Sequence, residues 1–271
     1  MKYSVLMTIY SKNDPSQLRD ALQSLLDQTI KPGEIVLVED GPVSAELKNI
    51  ISHFNNVSDG LLKSVCLKSN IGISRALNEG LKHVSNELVG RMDGDDIAKP
   101  NRFAKQLEFF EKNPDHALVG GQIEEFIERP GDTKILRKLP LRHEDLARYA
   151  SKRCPFNHPA VMYKKSVIQA VGGYEDFNSP TEDYFLWCKV INSGYRVANL
   201  PDILLDYRIG YDFVERRTGF KYMKGEYTLF TKLKSIGFLN QYEYLRNLVS
   251  RLPLRILPLF MTRFIYNRVL R

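Results

Sequence analysis

Cysteine is scarce: Cys66, Cys154 and Cys188 are the three in 271 residues. They stand far apart and form no metal-ligand pair. An odd, sparse set fits a reducing cytosol better than a secreted disulfide scaffold. No uninterrupted apolar run reaches the ~20 residues of a membrane-spanning helix. Met1-Lys2-Tyr3-Ser4 leads straight into a strand, without the pattern of a secretory leader. No Gly-x-Gly-x-x-Gly follows the first strand, and no Gly-x-x-x-x-Gly-Lys-Ser/Thr occurs anywhere. By motif, these absences exclude an ordinary dinucleotide-binding fold and a P-loop enzyme. Acidic side chains are nearly missing from the C-terminal fifth. Residues 216–271 hold 12 Lys/Arg against Glu226 and Glu243, a net charge of +10, while residues 1–215 carry 27 basic and 30 acidic side chains, net −3. What is present, 43% hydrophobic and 26% charged residues, is a globular composition. The length suits one sizeable α/β domain with an appendage, or two small domains. The charge break divides it into a domain over 1–215 and a basic helical extension over 216–271.

Short apolar runs alternate with helical patterns through the first half. Val5–Tyr10 reads as a buried strand, and Asn13-Asp14-Pro15 caps a helix carrying Leu18, Ala21, Leu22, Leu25 and Leu26 on one face. Glu34–Val38 is a second strand, ending in Glu39-Asp40-Gly41. A helix from Ser44, a strand from Lys63, a helix over Ile73–Val84 and a strand over Leu88–Met92 follow. This alternation predicts a parallel, helix-covered sheet, in which ligands bind at the carboxyl ends of the strands. Thr8-Ile9-Tyr10, Glu39-Asp40-Gly41 and Asp93-Gly94-Asp95 all lie at such ends, where carboxylates can take a nucleotide's base and ribose and a metal its phosphates.

Arg91-Met92-Asp93-Gly94-Asp95-Asp96 is the densest of these termini. Three carboxylates in four residues repel one another unless a cation or a proton intervenes. In extended backbone Asp93 and Asp95 point to the same side, so they can share Mn²⁺ or Mg²⁺, hard ions that prefer carboxylate oxygens. Asp95 is the first candidate ligand and Asp93 the second, while Asp96 can instead cap the next turn. A calcium loop is excluded, because Ala98 and Ala104 stand where Gly and Glu are required. Asn70-Ile71-Gly72 opens the preceding helix, from whose first turns Arg75 either reaches a diphosphate or faces solvent.

Taken in order, Val5–Tyr10, Glu39-Asp40-Gly41, Asn70-Ile71-Gly72, Arg91–Asp96 and the later Glu182-Asp183 resemble the family 2 glycosyltransferases of the GT-A fold. The resemblance covers roughly residues 3 to 210. It implies a Rossmann-like, mixed α/β sheet flanked by helices and an inverting transfer from a nucleotide sugar to an acceptor hydroxyl. It implies donor contacts by Asp40 on the uracil or ribose side and the metal-binding Asp-x-Asp at Asp93 and Asp95. With Asp40, the expected donor-binding residues are Thr8, Tyr10, Glu39, Asn70, Arg75 and Asp93. Pro42 departs from the family's usual Ser at this turn and removes a backbone donor.

The second half carries the acceptor side. Arg102–Lys112 reads as a helix, Ala117–Gly120 and Ile123–Ile127 as strands, and Arg142–Ser151 as containing a short helix. In Asn157-His158-Pro159, before the apolar run Ala160–Tyr163, His158 either fastens a loop or serves the acceptor. Gly172-Gly173-Tyr174 resembles a family turn near the acceptor. Thr181-Glu182-Asp183 starts a helix, where acids complement the helix dipole without any catalysis. The resemblance instead implies Asp183 as general base, with Glu182 beside it. Trp187, the one tryptophan, offers a sugar an apolar face or belongs to the core.

A Gln-x-x-Arg-Trp motif and membrane spans, features of the family's processive synthases, are missing, so one sugar per acceptor is expected. Leu252–Met261 with Arg263, Phe264, Ile265, Tyr266 and Arg268 reads as a basic, apolar-faced segment for an anionic membrane interface, each basic residue contributing ~1 kcal/mol. A helix packed on the catalytic domain and a contact within a homo-oligomer are the other readings. The whole describes a cytoplasmic glycosyltransferase, peripheral on the inner face of the membrane. It would use a UDP-sugar and, by family analogy, a lipid-linked oligosaccharide for surface polysaccharide or O-antigen. A sugar nucleotidyltransferase would need a Gly-rich basic loop after the first strand, and Tyr10-Ser11-Lys12-Asn13 is not one. A non-catalytic nucleic-acid-binding module conflicts with charge confined to the tail and an acidic strand edge.

Overall fold

The computed structural model describes residues 1–177, 179–210, 215–257 and 261. Four parallel strands form its first half: β1 (Tyr3–Ile9), β2 (Glu34–Glu39), β3 (Leu62–Cys66) and β4 (Leu88–Asp93). They are joined through α1 (Pro15–Leu26), α2 (Ala45–Val57) and α3 (Ile73–His83). Asp14 caps α1 by accepting from the Ser16 and Gln17 amides, with Pro15 in the first turn where no donor is needed. β1 is mostly apolar and buried along almost its whole length because both its faces are covered. Leu6 packs with Ala76 and Leu77 of α3, whereas Val5 and Met7 pack with Leu18 and Leu22 of α1.

The sheet does not stay parallel. After β4 come β5 (Ile97–Ala98), α4 (Arg102–Lys112), β6 (His116–Phe126), β7 (Ile135–Arg137), α5 (His143–Ala150) and β8 (Met162–Lys164). α6 (Lys165–Ala170), α7 (Glu182–Asn192) and β9 (Arg196–Arg208) follow. The strand order is β3-β2-β1-β4-β8-β6-β9-β5, with β7 beside β6. β8 runs antiparallel to both β4 and β6, so the sheet is mixed. The two strands expected over 117–127 are one strand, β6, whose pairing with β9 shifts between Gly120 and Gln122. A two-glycine bulge bends the strand there. β9 itself is hidden in the sequence by Leu200-Pro201-Asp202, and Pro201 falls in the same gap in the pairing, where its missing N–H breaks no ladder bond. The apolar run after His158 opens with a 3₁₀ turn, His158–Ala160, before β8.

The last two helices are α8 (Phe220–Ser235) and α9 (Gln241–Ile256). Leu229, Phe230 and Leu233 of α8 join the buried cluster that contains Phe177 and Phe185. α9 is tied down by polar contacts: Arg246 Nη2 and Asn247 Nδ2 donate to the Ser151 carbonyl at 2.8 and 2.9 Å, and Arg251 Nη1 to the Lys152 carbonyl at 3.0 Å. Glu226 on α8, almost fully buried, receives Arg251 and Arg255 of α9. Of the stretch expected at a membrane, 258–260 and 262–271, with Arg263, Phe264, Ile265, Tyr266 and Arg268, lie outside the described residues.

Candidate active site

β4 delivers the acidic turn to the end of the parallel half, where it lines a cleft of about 1680 Å³. The turn has a cationic floor. Arg91, fully buried, reaches Asp93 Oδ1 at 2.5 Å. Oxygens of Asp93, Asp95 and Asp96 all lie within 4.8 Å of one another. Burial and the neighbouring Asp93 push the Asp95 carboxyl up to about 6, against the pull of Arg208 and Arg91. Asp96 does not cap the following turn. It is wholly buried, accepts the Arg208 amide on Oδ1 at 2.9 Å, and leaves Oδ2 without a hydrogen-bond partner. A crowded carboxylate set with an orphaned buried oxygen is what a hard divalent cation satisfies. The residues present therefore fit such an ion.

Of the residues expected to bind the donor, Thr8, Tyr10, Asp40 and Asn70 line the same cleft. Asp40 accepts the Ile71 and Gly72 amides at 2.7 and 3.1 Å, and its carbonyl accepts Asn70 Nδ2. That bracing holds the loop at the head of α3 against the end of β2. Gly41, with φ +86°, is required at this contact, because a Cβ would sit 2.6 Å from the Asn70 nitrogen. Two expected donor residues are not brought in. Glu39 is buried away from the cleft, accepting from Ser64 and pairing with Lys48 at 2.5 Å. Neighbouring strand positions face opposite ways, and Glu39 faces β3 and α2. Arg75 lies on the outward face of α3 and pairs with Asp176 at 3.1 Å, clear of the cleft lining.

The acids expected on the acceptor side stand in the first turn of α7. Glu182 and Asp183 both line the cleft. Asp183 accepts its neighbour's amide, Tyr184 N, at 2.7 Å and faces the Cys154 thiol at 3.6 Å. Burial raises its carboxyl, and the Tyr184 amide, the Cys154 thiol and the charge of Arg217 pull the other way. Glu182 is pushed up to about 8 by burial and by Asp183, which favours its neutral form. This has a thermodynamic sign. With the unfolded carboxyl ionising near 4.5 and the folded one near 8, the native state binds more protons between those values, and stability falls as pH rises through them. Glu182→Gln is expected to flatten that decline, read as the melting temperature from pH 4.5 to 8.5 without ligand; an unchanged slope would remove Glu182 as its source.

His158 also lines the cleft, but as part of its wall. Its Nε2 lies 3.0 Å from the Tyr174 hydroxyl, and burial and the Arg91 charge keep the ring neutral. Gly172-Gly173-Tyr174 is tied to α3, where Asn78 exchanges two hydrogen bonds with the Tyr174 backbone. Trp187 is not an acceptor platform. It has no exposed surface and packs against Phe156, His158, Tyr163 and Tyr174, with ring centres 5.9 to 6.4 Å away. Its place on α7, one turn beyond the acids and on the face turned to the sheet, puts it in the core.

Sequence reasoning missed Arg208. At the end of β9 its amide holds Asp96, its Nε donates to the Asp95 carbonyl at 2.9 Å, and its guanidinium stacks on Phe126. The apolar run Ile203-Leu204-Leu205 just before Arg208 was the available signal. Missed too were the lining residues of α8 and α9, among them Tyr222, Glu226, Arg251 and Arg255.

A family model described as glycosyl transferase family 2 matches residues 4–172. The chain is 41% identical to an uncharacterized glycosyltransferase of Haemophilus influenzae over the whole of both chains. It is 38% identical to the amylovoran biosynthesis glycosyltransferase AmsE of Erwinia amylovora, over 98% of each. It is 37% identical to the UDP-Gal:alpha-D-GlcNAc-diphosphoundecaprenol beta-1,3-galactosyltransferase of Escherichia coli, over 100% of this chain and 97% of that one. Among solved structures, the mannosyltransferase PcManGT of Pyrobaculum calidifontis, in complex with GDP-Man and Mn²⁺, superposes with a TM-score of 0.69 at 17% identity, over 99% of this chain and 75% of that one. That likeness speaks to the fold alone. With the family model across most of the chain and three relatives matched end to end, the protein belongs to the family 2 glycosyltransferases and has their GT-A fold.

Proposed function

We propose that this enzyme transfers a single sugar, with inversion, from a UDP-sugar to a hydroxyl of a lipid-linked oligosaccharide in surface-polysaccharide assembly. The observation that carries the reading is one cleft holding two acidic centres of different character, the clustered turn at 93–96 and the Glu182–Asp183 pair. Asp93 and Asp95, with the orphaned oxygen of Asp96 beside them, would hold Mn²⁺ or Mg²⁺. Such an ion, when bound, supplies charge neutralisation for the departing diphosphate. Asp40 and Asn70 shape the pocket for the nucleoside, and Thr8 and Tyr10 line it at the end of β1. Asp183 takes the proton of the acceptor hydroxyl as that oxygen attacks the anomeric carbon from the side opposite the diphosphate. Burial and Asp183 push the carboxyl of Glu182 towards its neutral form, which lessens its repulsion of Asp183.

The acceptor class draws support from the Escherichia coli relative, whose name specifies a diphosphoundecaprenol-linked sugar. Tyr242, Leu245, Val249 and Ile256 are exposed at helical spacing on α9, an apolar face suited to the membrane where such a lipid resides. Among the described residues, no helix is long and apolar enough to cross a membrane. The test is thermal stabilisation by UDP-, GDP- and dTDP-sugars with and without Mn²⁺. A UDP-sugar at a hundred times its Kd should add about 2.7 kcal/mol, and only with the metal. Stabilisation by GDP-sugars alone would overturn the nucleotide assignment, and equal stabilisation in EDTA the metal.

A further inference from the structure

Six cations line the cleft around the candidate base: Lys152, Arg153, Arg217, Arg246, Arg251 and Arg255. Cys154, whose thiol faces Asp183, directly follows Lys152 and Arg153, and the charge of Arg217 acts on Asp183 itself. Glu226 compensates Arg251 and Arg255, with its carboxylate held low by both although burial works against it. The remaining carboxylates here, Glu182 and Asp183, favour the neutral form more than free acids do. Among the described residues, Lys152, Arg153 and Arg246 have no carboxylate partner; Arg246 instead donates to the Ser151 carbonyl and Asn247. The wall is also rigid, because Arg246 and Arg251 grip the carbonyls of Ser151 and Lys152 and so lock α9 to the turn that carries the two free cations.

Uncompensated cations gathered on one wall of a cleft, on a backbone held in place, are a site for a polyvalent anion. The donor's own diphosphate belongs at the acidic turn, where a metal would offset it. A second polyanion must therefore come with the acceptor. We propose that the basic wall formed by the 151–153 turn and α9 binds the diphosphate of a lipid-linked acceptor and so positions the acceptor's sugar hydroxyl at Asp183. This rests on the lipid-linked reading of the acceptor and adds its recognition site. Leu254 and Tyr222 line the cleft beside these arginines and supply apolar contact for the first carbons of the lipid chain.

The experiment is a calorimetric titration of farnesyl diphosphate into the full chain in EDTA, where the acidic turn repels a diphosphate. Saturable binding is expected, unchanged in Asp95→Asn and weakened roughly tenfold in the Lys152→Ala/Arg153→Ala double variant, as for two exposed charge contacts. Both side chains are exposed, and UDP binding in Mn²⁺ serves as the control for folding. No binding by the wild type, or binding lost in Asp95→Asn and kept in the double variant, overturns the proposal. So does inorganic diphosphate binding as tightly as farnesyl diphosphate, which would mark a free-phosphate site. A double variant that weakens binding to phosphatidylglycerol vesicles alone would mark a headgroup site and overturn it equally. Failure of the wild type to bind UDP in Mn²⁺ would overturn the donor reading instead, so the two failures are distinguishable.

Discussion

Asp95→Asn is expected to lower kcat by about two to three orders of magnitude, the scale of removing a principal electrostatic contact to developing charge. The amide keeps the volume and one acceptor oxygen but loses the charge that a divalent ion requires. The same substitution should raise the stability of the ligand-free protein above pH 6. Asp95 ionises near 6 in the fold against an ordinary 3.8, so the wild type loses stability as pH rises from the lower value through the higher one. The variant has no such loss. Wild type and variant should therefore be melted at pH 5 and pH 8, with and without Mn²⁺. The variant should be the more stable at pH 8 without metal and should gain little from Mn²⁺, while the wild type gains much. Equal gains from Mn²⁺, or undiminished transfer, would remove Asp95 as a ligand.

The parallel half of the fold was legible because β1 and β2 are short, mostly apolar runs, each followed by a helix with its own cap, at Asp14 and Ser44. The second half was less so. Gly120-Gly121 read as the end of one strand and is the bulge within another, and Pro201 concealed β9 while sitting at the place where a proline does no harm. Both misreadings share a cause. A strand's local pattern is broken where its partner strand is also irregular, and the partner is distant in sequence.

The site divides the same way. Asp40, Asn70, Asp93, Asp95 and the pair at 182–183 stand at element ends, where sequence order alone puts them on one edge. Glu39 and Arg75 are charged residues close in sequence to positions that line the cleft, and strand and helix geometry turns both aside into ion pairs with Lys48 and Asp176. Trp187 lies at zero exposure because α7 has to bury its long apolar face against β8 and the 3₁₀ turn at His158. Arg208 and the arginines of α9 reach the cleft only through tertiary packing across 81 to 113 positions. No local pattern in the sequence records that.

Asp183→Asn is expected to lower kcat by about 10²–10⁴, the usual contribution of a general base. The variant should bind UDP in Mn²⁺ as the wild type does, because the acidic turn and the Asp40 loop lie on other elements. An asparagine oxygen can still accept the Tyr184 amide, so the first turn of α7 keeps its shape. Only the capacity to take a proton goes. Asp183→Glu restores the charge but displaces it by one methylene, and a misplacement of about 1 Å costs on the order of 10²-fold. The wild-type rate should fall in acid with a midpoint above the ordinary range of an aspartate, since burial raises this carboxyl and the base must be ionised to act. Single-turnover transfer measured against pH, alongside UDP affinity for each variant, separates the roles. Loss of UDP affinity in step with kcat would make Asp183 a donor-binding residue, and a fully active Asp183→Asn would leave the cleft without its base.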